Sequence, residues 1–169
     1  EIGLDRTRRG GRWCDQVECF EAQLRLAARH SRPASLHCVR AWGALEDTLR
    51  NRLAPEELPP RLSLHSYTGS PETAASLLRI PGVGERLYFG FSHGVNLSSE
   101  GMRKKLAAIV VKVPRERVLA ETDLHACRKE EHQQAMEEII QVISTLWACS
   151  KEECAMVIRK NSEDFFALS

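Results

Sequence analysis

Ser63-Leu64-His65-Ser66-Tyr67-Thr68-Gly69-Ser70 reads as an apolar strand running into a histidine, followed by a small polar turn that opens a helix. The same phrase occurs 28 positions earlier as Ser35-Leu36-His37-Cys38. Each histidine is expected where a buried strand ends and a loop begins. Such a position suits a metal ligand, because the strand fixes the backbone while the loop admits substrate. The plainer reading is a pair of core histidines satisfied by hydrogen bonds. It fits one histidine better than two at matching positions.

The spacing extends in both directions. Ser92 follows the apolar run Leu87-Tyr88-Phe89-Gly90-Phe91, 27 residues after His65, and Asp123 follows Val118-Leu119-Ala120-Glu121-Thr122, 31 residues after Ser92. Upstream, Glu1 and Asp5 flank Ile2-Gly3-Leu4, and Glu1 precedes His37 by 36 residues. One strand, one helix and two loops need roughly 30 residues. Polar residues at the C-terminal ends of successive parallel strands are how a β/α barrel builds its active site. The expected class is therefore α/β, a TIM (β/α)8 barrel. Strands are expected near 1–4, 34–38, 62–66, 87–91 and 117–121, five rather than eight. A complete barrel takes about 250 residues, and this chain has 169. Residues 1–169 are accordingly expected to be the C-terminal portion of a single barrel, about its last five βα units, with the first three upstream or absent.

Composition narrows the function. The net charge of +1 gives no footprint for bulk nucleic-acid binding, although it leaves room for a local basic patch. Arg6-Thr7-Arg8-Arg9-Gly10-Gly11-Arg12 is such a segment, read first as a solvated loop and alternatively as a phosphate contact. Six cysteines without a CxxC pair point to reduced thiols in a cytoplasmic or nuclear protein. No apolar run approaches the roughly 18 residues of a membrane span. A zincin helix, a P-loop, a dinucleotide fingerprint and a GxSxG elbow are all missing.

Helix signals fill the gaps between strands. Asp15 and Glu18 are placed as a capping box for a helix whose face is Val17, Phe20, Leu24 and Ala27. Residues 40–53 carry Trp42, Leu45, Leu49 and Leu53 on another helix, and the prolines of 54–60 make a loop. Ser70-Pro71 starts a helix, and Met102, Leu106, Ile109 and Val110 mark the next. The longest, about 129–148, places Met136 and Trp147 in the core. Ser150 and Glu153 form a capping box for a helix through Ile158, with Phe165 and Phe166 packed back on the wall. His30 and His132 are read as solvent-facing, and His93 and His125 as loop residues on the site side.

The candidate ligand set is Glu1, His37, His65 and Asp123. Neutral imidazole and carboxylate suit zinc, manganese or magnesium. A carboxylate can bridge two metals, and two metals about 4 Å apart polarise a phosphoryl group and lower the pKa of a bound water. An aspartate beside that water takes its proton.

Glu1-Ile2-Gly3-Leu4-Asp5, Arg32-Pro33-Ala34-Ser35-Leu36-His37-Cys38, His65-Ser66-Tyr67-Thr68-Gly69-Ser70, Tyr88-Phe89-Gly90-Phe91-Ser92 and Glu121-Thr122-Asp123 stand in the order found in TatD-like metal-dependent deoxyribonucleases. Asn161–Phe166 also resembles that family's closing motif, so the resemblance covers essentially the whole chain. Asp123-Leu124-His125 and Val39-Arg40-Ala41-Trp42 look like the fungal, cut9-interacting-protein-like branch. The resemblance implies a (β/α)8 barrel and metal-dependent hydrolysis of phosphodiester bonds, with DNA as substrate, RNA as the alternative, and two divalent ions (magnesium, manganese or zinc) per complete site. By resemblance Glu1 bridges both metals, His37 and His65 hold one, and Asp123 sits on the other and orients or deprotonates the attacking water. That makes Asp123 and Glu1 the catalytic pair.

Three departures accompany the resemblance. The family's His-x-His pair has no counterpart here. Val39 stands where the family has arginine, and Leu124-His125 replaces Ala-Pro. The alternative function is an inactive truncated barrel serving as a protein–protein interaction module, its exposed strand edges covered by a protein partner.

Overall fold

A computed structural model describes residues 1–8 and 10–167. Arg9, part of the basic segment, lies outside the described residues. The strands are β1 (Ile2–Asp5), β2 (Ala34–Val39), β3 (Leu62–Leu64), β4 (Leu87–Ser92) and β5 (Val118–Glu121), in sheet order β1-β2-β3-β4-β5. Each falls within two residues of its expected place. They form where apolar residues stand between Gly, Pro or polar breakers; β3 and β4 are buried on both faces, whereas β2 alternates buried and half-buried residues. All three residues of β3 and all six of β4 are buried. His37, expected at the end of its strand, lies inside β2, which continues two residues further to Val39. His65 lies just past β3, as expected.

Backbone contacts divide the chain into two units, Glu1–His65 with Glu72–Tyr88, and Ser66–Pro71 with Phe89–Ser169. In the first, β1 pairs with β2 and β2 with β3, both parallel, with Gly3 opposite His37 and Leu36 opposite Leu64. Helix α1 (Trp13–Arg29) buries Val17, Phe20 and Leu24. The expected capping box is not formed: α1 begins three residues earlier, Arg12 is the N-cap, and no side chain caps it. Asp15 instead sits in the first turn and accepts from the Arg12 guanidinium at 2.8 and 3.2 Å, where a negative charge also complements the helix dipole. The helix expected over 40–53 is α2 (Trp42–Asp47) followed by one π-helical turn, Thr48–Arg52. Leu45, Leu49 and Leu53 are buried, and Trp42 is only half-buried. The proline loop contains one 3-10 turn at Pro55–Glu57 and is held by Arg86, which donates to the carbonyls of Pro55 and Leu58 at 2.8 and 3.2 Å. Helix α3 spans Pro71–Leu78.

In the second unit β4 pairs parallel with β5, Ser92 opposite Glu121. His93 is not in a loop: it opens the short helix α4 (His93–Asn96), which leads to α5 (Glu100–Val110). Helix α6 (Lys129–Trp147) buries Ile139, Ile143 and Trp147, whereas Met136 is half-buried. Helix α7 (Lys151–Phe166) has the expected Ser150–Glu153 capping box, with Glu153 N–H donating to Ser150 Oγ at 3.1 Å. It runs through Asn161 to Phe166 instead of stopping at Ile158. Consequently Phe165 turns inward at 3% exposure while Phe166 faces outward at 57%, and only one of the pair packs on the core.

Candidate metal centre

Strand alternation places Glu1, Gly3 and Asp5 on one face of β1. His37 stands opposite Gly3 in register, between the two acids. Its Nδ1 lies 3.9 Å from Glu1 Oε2 and its Nε2 3.8 Å from Asp5 Oδ2. Gly3 is required by close approach: a Cβ there would overlap the His37 carbonyl oxygen, at 1.9 Å. His65 is held by its backbone N–H donating to Leu36 O at 2.9 Å, and its Nε2 reaches Glu1 Oε1 at 3.1 Å. The two oxygens of Glu1 thus face two imidazoles carried by neighbouring parallel strands. Asp5 takes the Thr7 hydroxyl and the Thr7 N–H on Oδ1, and the hydroxyl bond, partly offset by desolvation, holds its carboxyl below the ordinary range.

Asp123 belongs to the second unit. It stands two residues past β5 with φ +52°, among side chains that converge on Ser66. Ser66 N–H donates to Glu121 Oε2 at 2.9 Å, and its hydroxyl lies 2.8 Å from Ser92 Oγ and 3.5 Å from Asp123 Oδ2. Asn96 closes this network by accepting from Ser92 N–H at 2.7 Å and donating to Tyr67 O at 2.9 Å. Gly90 leaves the space Glu121 uses: a Cβ there would lie 2.2 Å from Glu121 Oε1. Arg40, Ser66 and Asp123, one or two residues beyond β2, β3 and β5, all adopt left-handed backbone. Non-glycine residues hold that conformation only where surroundings enforce it, and such positions cluster at functional sites.

The structure therefore sets Glu1 against His37 and against His65 in the first unit, and places Asp123 beside Ser66 in the second. Asp5, Ser66, Ser92 and Glu121 join these groups, and of the four only Ser92 falls in the strand-end spacing read from the sequence. Period-two alternation from Glu1 is the available signal for Asp5; nothing local marks Ser66 as the hub of a network. His93 Nε2 is tied to Glu138 Oε2 at 3.1 Å, and His30 and His132 are exposed.

The donor chemistry fits a divalent ion. Ligands about 2.1 Å from a shared tetrahedral ion lie about 3.4 Å from one another, and the Glu1–His65 and Glu1–His37 separations of 3.1 and 3.9 Å bracket that value. Among the described residues no group of three such donors is yet drawn together as a metal-holding set. Glu1, 44% exposed, is the member with freedom to adjust.

The family model described as TatD related DNase matches residues 1–167. The Cut9-interacting protein scn1 of Schizosaccharomyces pombe is 28% identical over 181 aligned positions, covering 91% of this chain and 51% of that protein. The 3'-5' ssDNA/RNA exonuclease TatD of Edwardsiella piscicida is 35% identical, covering 73% of this chain and 44% of that protein. This chain spans about half the length of these relatives. Among solved structures, the TatD homolog YJJV of Escherichia coli matches with a TM-score of 0.77 at 23% identity, over 99% of this chain and 62% of that one. A TatD-family hydrolase from Entamoeba histolytica matches with a TM-score of 0.76 at 20% identity, over 98% and 62%. The five-stranded α/β sheet has the architecture of a partial TIM barrel, and by the match over 1–167 the chain belongs to the TatD-related DNase family.

Proposed function

We propose that the full-length protein hydrolyses phosphodiester bonds of DNA with a water activated by divalent metal ions. The observation that carries this reading is the Glu1 carboxylate set against the imidazoles of His37 and His65. Glu1 would hold both ions and the two histidines would complete the shell of one. Magnesium, manganese and zinc all suit these ligands. When bound, the ions polarise the phosphoryl oxygens and lower the pKa of the attacking water. Asp123 would take the proton of the attacking water. RNA is the second substrate class, in line with the name of the Edwardsiella relative. Six free cysteines favour cytoplasmic or nuclear residence; among the described residues no helix is long and apolar enough to cross a membrane.

The test is cleavage of labelled single-stranded and duplex DNA by the full-length protein with and without EDTA. Asp123→Asn is expected to lower cleavage at least about a hundred-fold, the usual size of a lost general base. Unchanged cleavage in that variant, or cleavage insensitive to EDTA, would refute the reading. The second reading, an inactive barrel that binds a protein partner, rests on the name of the fission yeast relative, which interacts with Cut9. Under it the wild-type protein cleaves nothing, and Asp123→Asn retains partner binding.

A further inference from the structure

The proposed hydrolase chemistry leaves one feature of the chain unused. Residues 5–15 hold four arginines and two aspartates, a net +2 in a chain whose total is +1. In the structure Arg6, Arg8, Gly10, Gly11, Arg12 and Trp13 line an open cleft of about 230 Å³. Asp5, whose carboxylate lies 3.8 Å from His37, also lines it. The cleft and the candidate metal centre are thus adjoining parts of one surface.

The arginines are not equivalent. Arg12 is engaged by Asp15 at 2.8 Å, and Arg8, 81% exposed, lies 3.6 Å from Asp5. Arg6 makes no ion pair among the described residues; its guanidinium carbon lies 4.3 Å from the centroid of the Trp13 ring. A guanidinium stacked on an indole is held by its face, while all its N–H donors stay free at the edge, in the plane that matches a phosphate. Trp13 is half-buried at the start of α1 and so supplies a rigid platform. Paired glycines at 10 and 11 leave one rim of the cleft without side chains.

We infer that this cleft, with Arg6 and Arg8 as donors and Trp13 as the stacking plane, binds the sugar–phosphate backbone of a single-stranded nucleic acid and lays it beside the metal centre. The inference rests on the hydrolase reading for its substrate. An acidic protein surface would use the charges but not a flat face, whereas single-strand binding combines basic donors with a plane for a base, here the Arg6 guanidinium backed by the Trp13 ring.

The test is fluorescence anisotropy of a fluorescein-labelled oligothymidylate with the full-length protein, in EDTA so that no cleavage occurs, across a potassium chloride series. Arg6→Gln with Arg8→Gln is expected to weaken binding at least about ten-fold and to lower the salt slope by about 1.4, near 0.7 for each single-strand phosphate no longer neutralised. Trp13→Leu is expected to weaken binding at least about five-fold, and Lys104→Gln, on the exposed face of α5, to change nothing. With magnesium or manganese added, the wild-type protein should hydrolyse both the oligothymidylate and bis(p-nitrophenyl) phosphate, a diester too short to reach the cleft. Wild-type affinity and salt slope in the double variant would overturn the inference and leave the hydrolase reading standing. Displacement of the oligonucleotide by polyglutamate at equal charge would overturn it in favour of an acidic partner. The expected binding losses without metal-dependent cleavage of either substrate would uphold the cleft and sink the hydrolase reading.

Discussion

Gly3 is where one missing side chain allows the site to form. Opposite it His37 lies between Glu1 and Asp5, and a Cβ at position 3 would meet the backbone of β2 rather than a movable side chain. Gly3→Ala therefore has to push two paired strands apart. It is expected to destabilise the protein by about 1–3 kcal/mol, as overpacking does, and to weaken metal binding; urea unfolding and a zinc titration by calorimetry check both. A similar logic of enforced geometry applies to Arg40, Ser66 and Asp123, whose left-handed backbones are invisible in a residue-by-residue reading. Sequence spacing picks out Glu1, His37, His65 and Asp123 as candidate ligands because polar residues in or beside apolar runs repeat with the βα unit. It does not locate Ser66 or Glu121, because their roles come from a hydrogen bond spanning 55 positions of sequence.

At the scale of elements, side chains that tie one element to another dominate. Glu46 of α2 accepts from Ser76 of α3 at 2.6 Å and from Arg50 at 2.8 Å. The Ser76 hydroxyl, then Arg50, lowers its pKa from the ordinary 4.5. A carboxyl depressed on folding stabilises the fold above its unfolded pKa and loses that contribution as pH falls through the lower folded value. Glu46→Gln should therefore cost on the order of 1 kcal/mol at pH 7, with the difference from wild type vanishing once the pH is below the folded value; urea midpoints from pH 7 to pH 2 measure it. Asn161 of α7 is buried and donates to the carbonyls of Arg115 and Val118 at 2.7 and 2.8 Å, fixing the start of β5. Asn161→Ala strands both acceptors and should lower stability by about 2–3 kcal/mol, read from the thermal midpoint. The sequence resembles a terminal motif at this point, but local signals do not carry α7 on to Phe166: the periodic apolar pattern fades after Ile158, and a buried asparagine supplies the anchor instead.

For the molecule as a whole, burial sorts six chemically identical thiols. Cys14 and Cys19 are exposed, Cys127 and Cys149 half-buried, and Cys38 and Cys154 buried. Burial pushes the Cys38 and Cys154 thiols up to about 12, so neither forms thiolate at neutral pH. Iodoacetamide under native conditions should label Cys14 and Cys19 first and Cys38 and Cys154 only in denaturant, with peptide mass spectrometry as the readout. Early labelling of Cys38 would mean that β2 is not packed as described. The order of elements, the five strands and the identity of the metal-ligand candidates follow from the sequence alone, because apolar runs bounded by breakers, with a polar residue in or beside them, recur with each βα unit. Whether a capping box forms, where a helix stops, that His37 lies between two carboxylates and that Arg6 stacks on Trp13 were decided only in the tertiary structure. Those outcomes depend on strand register and on contacts between residues distant in the chain, and local propensity carries no record of either.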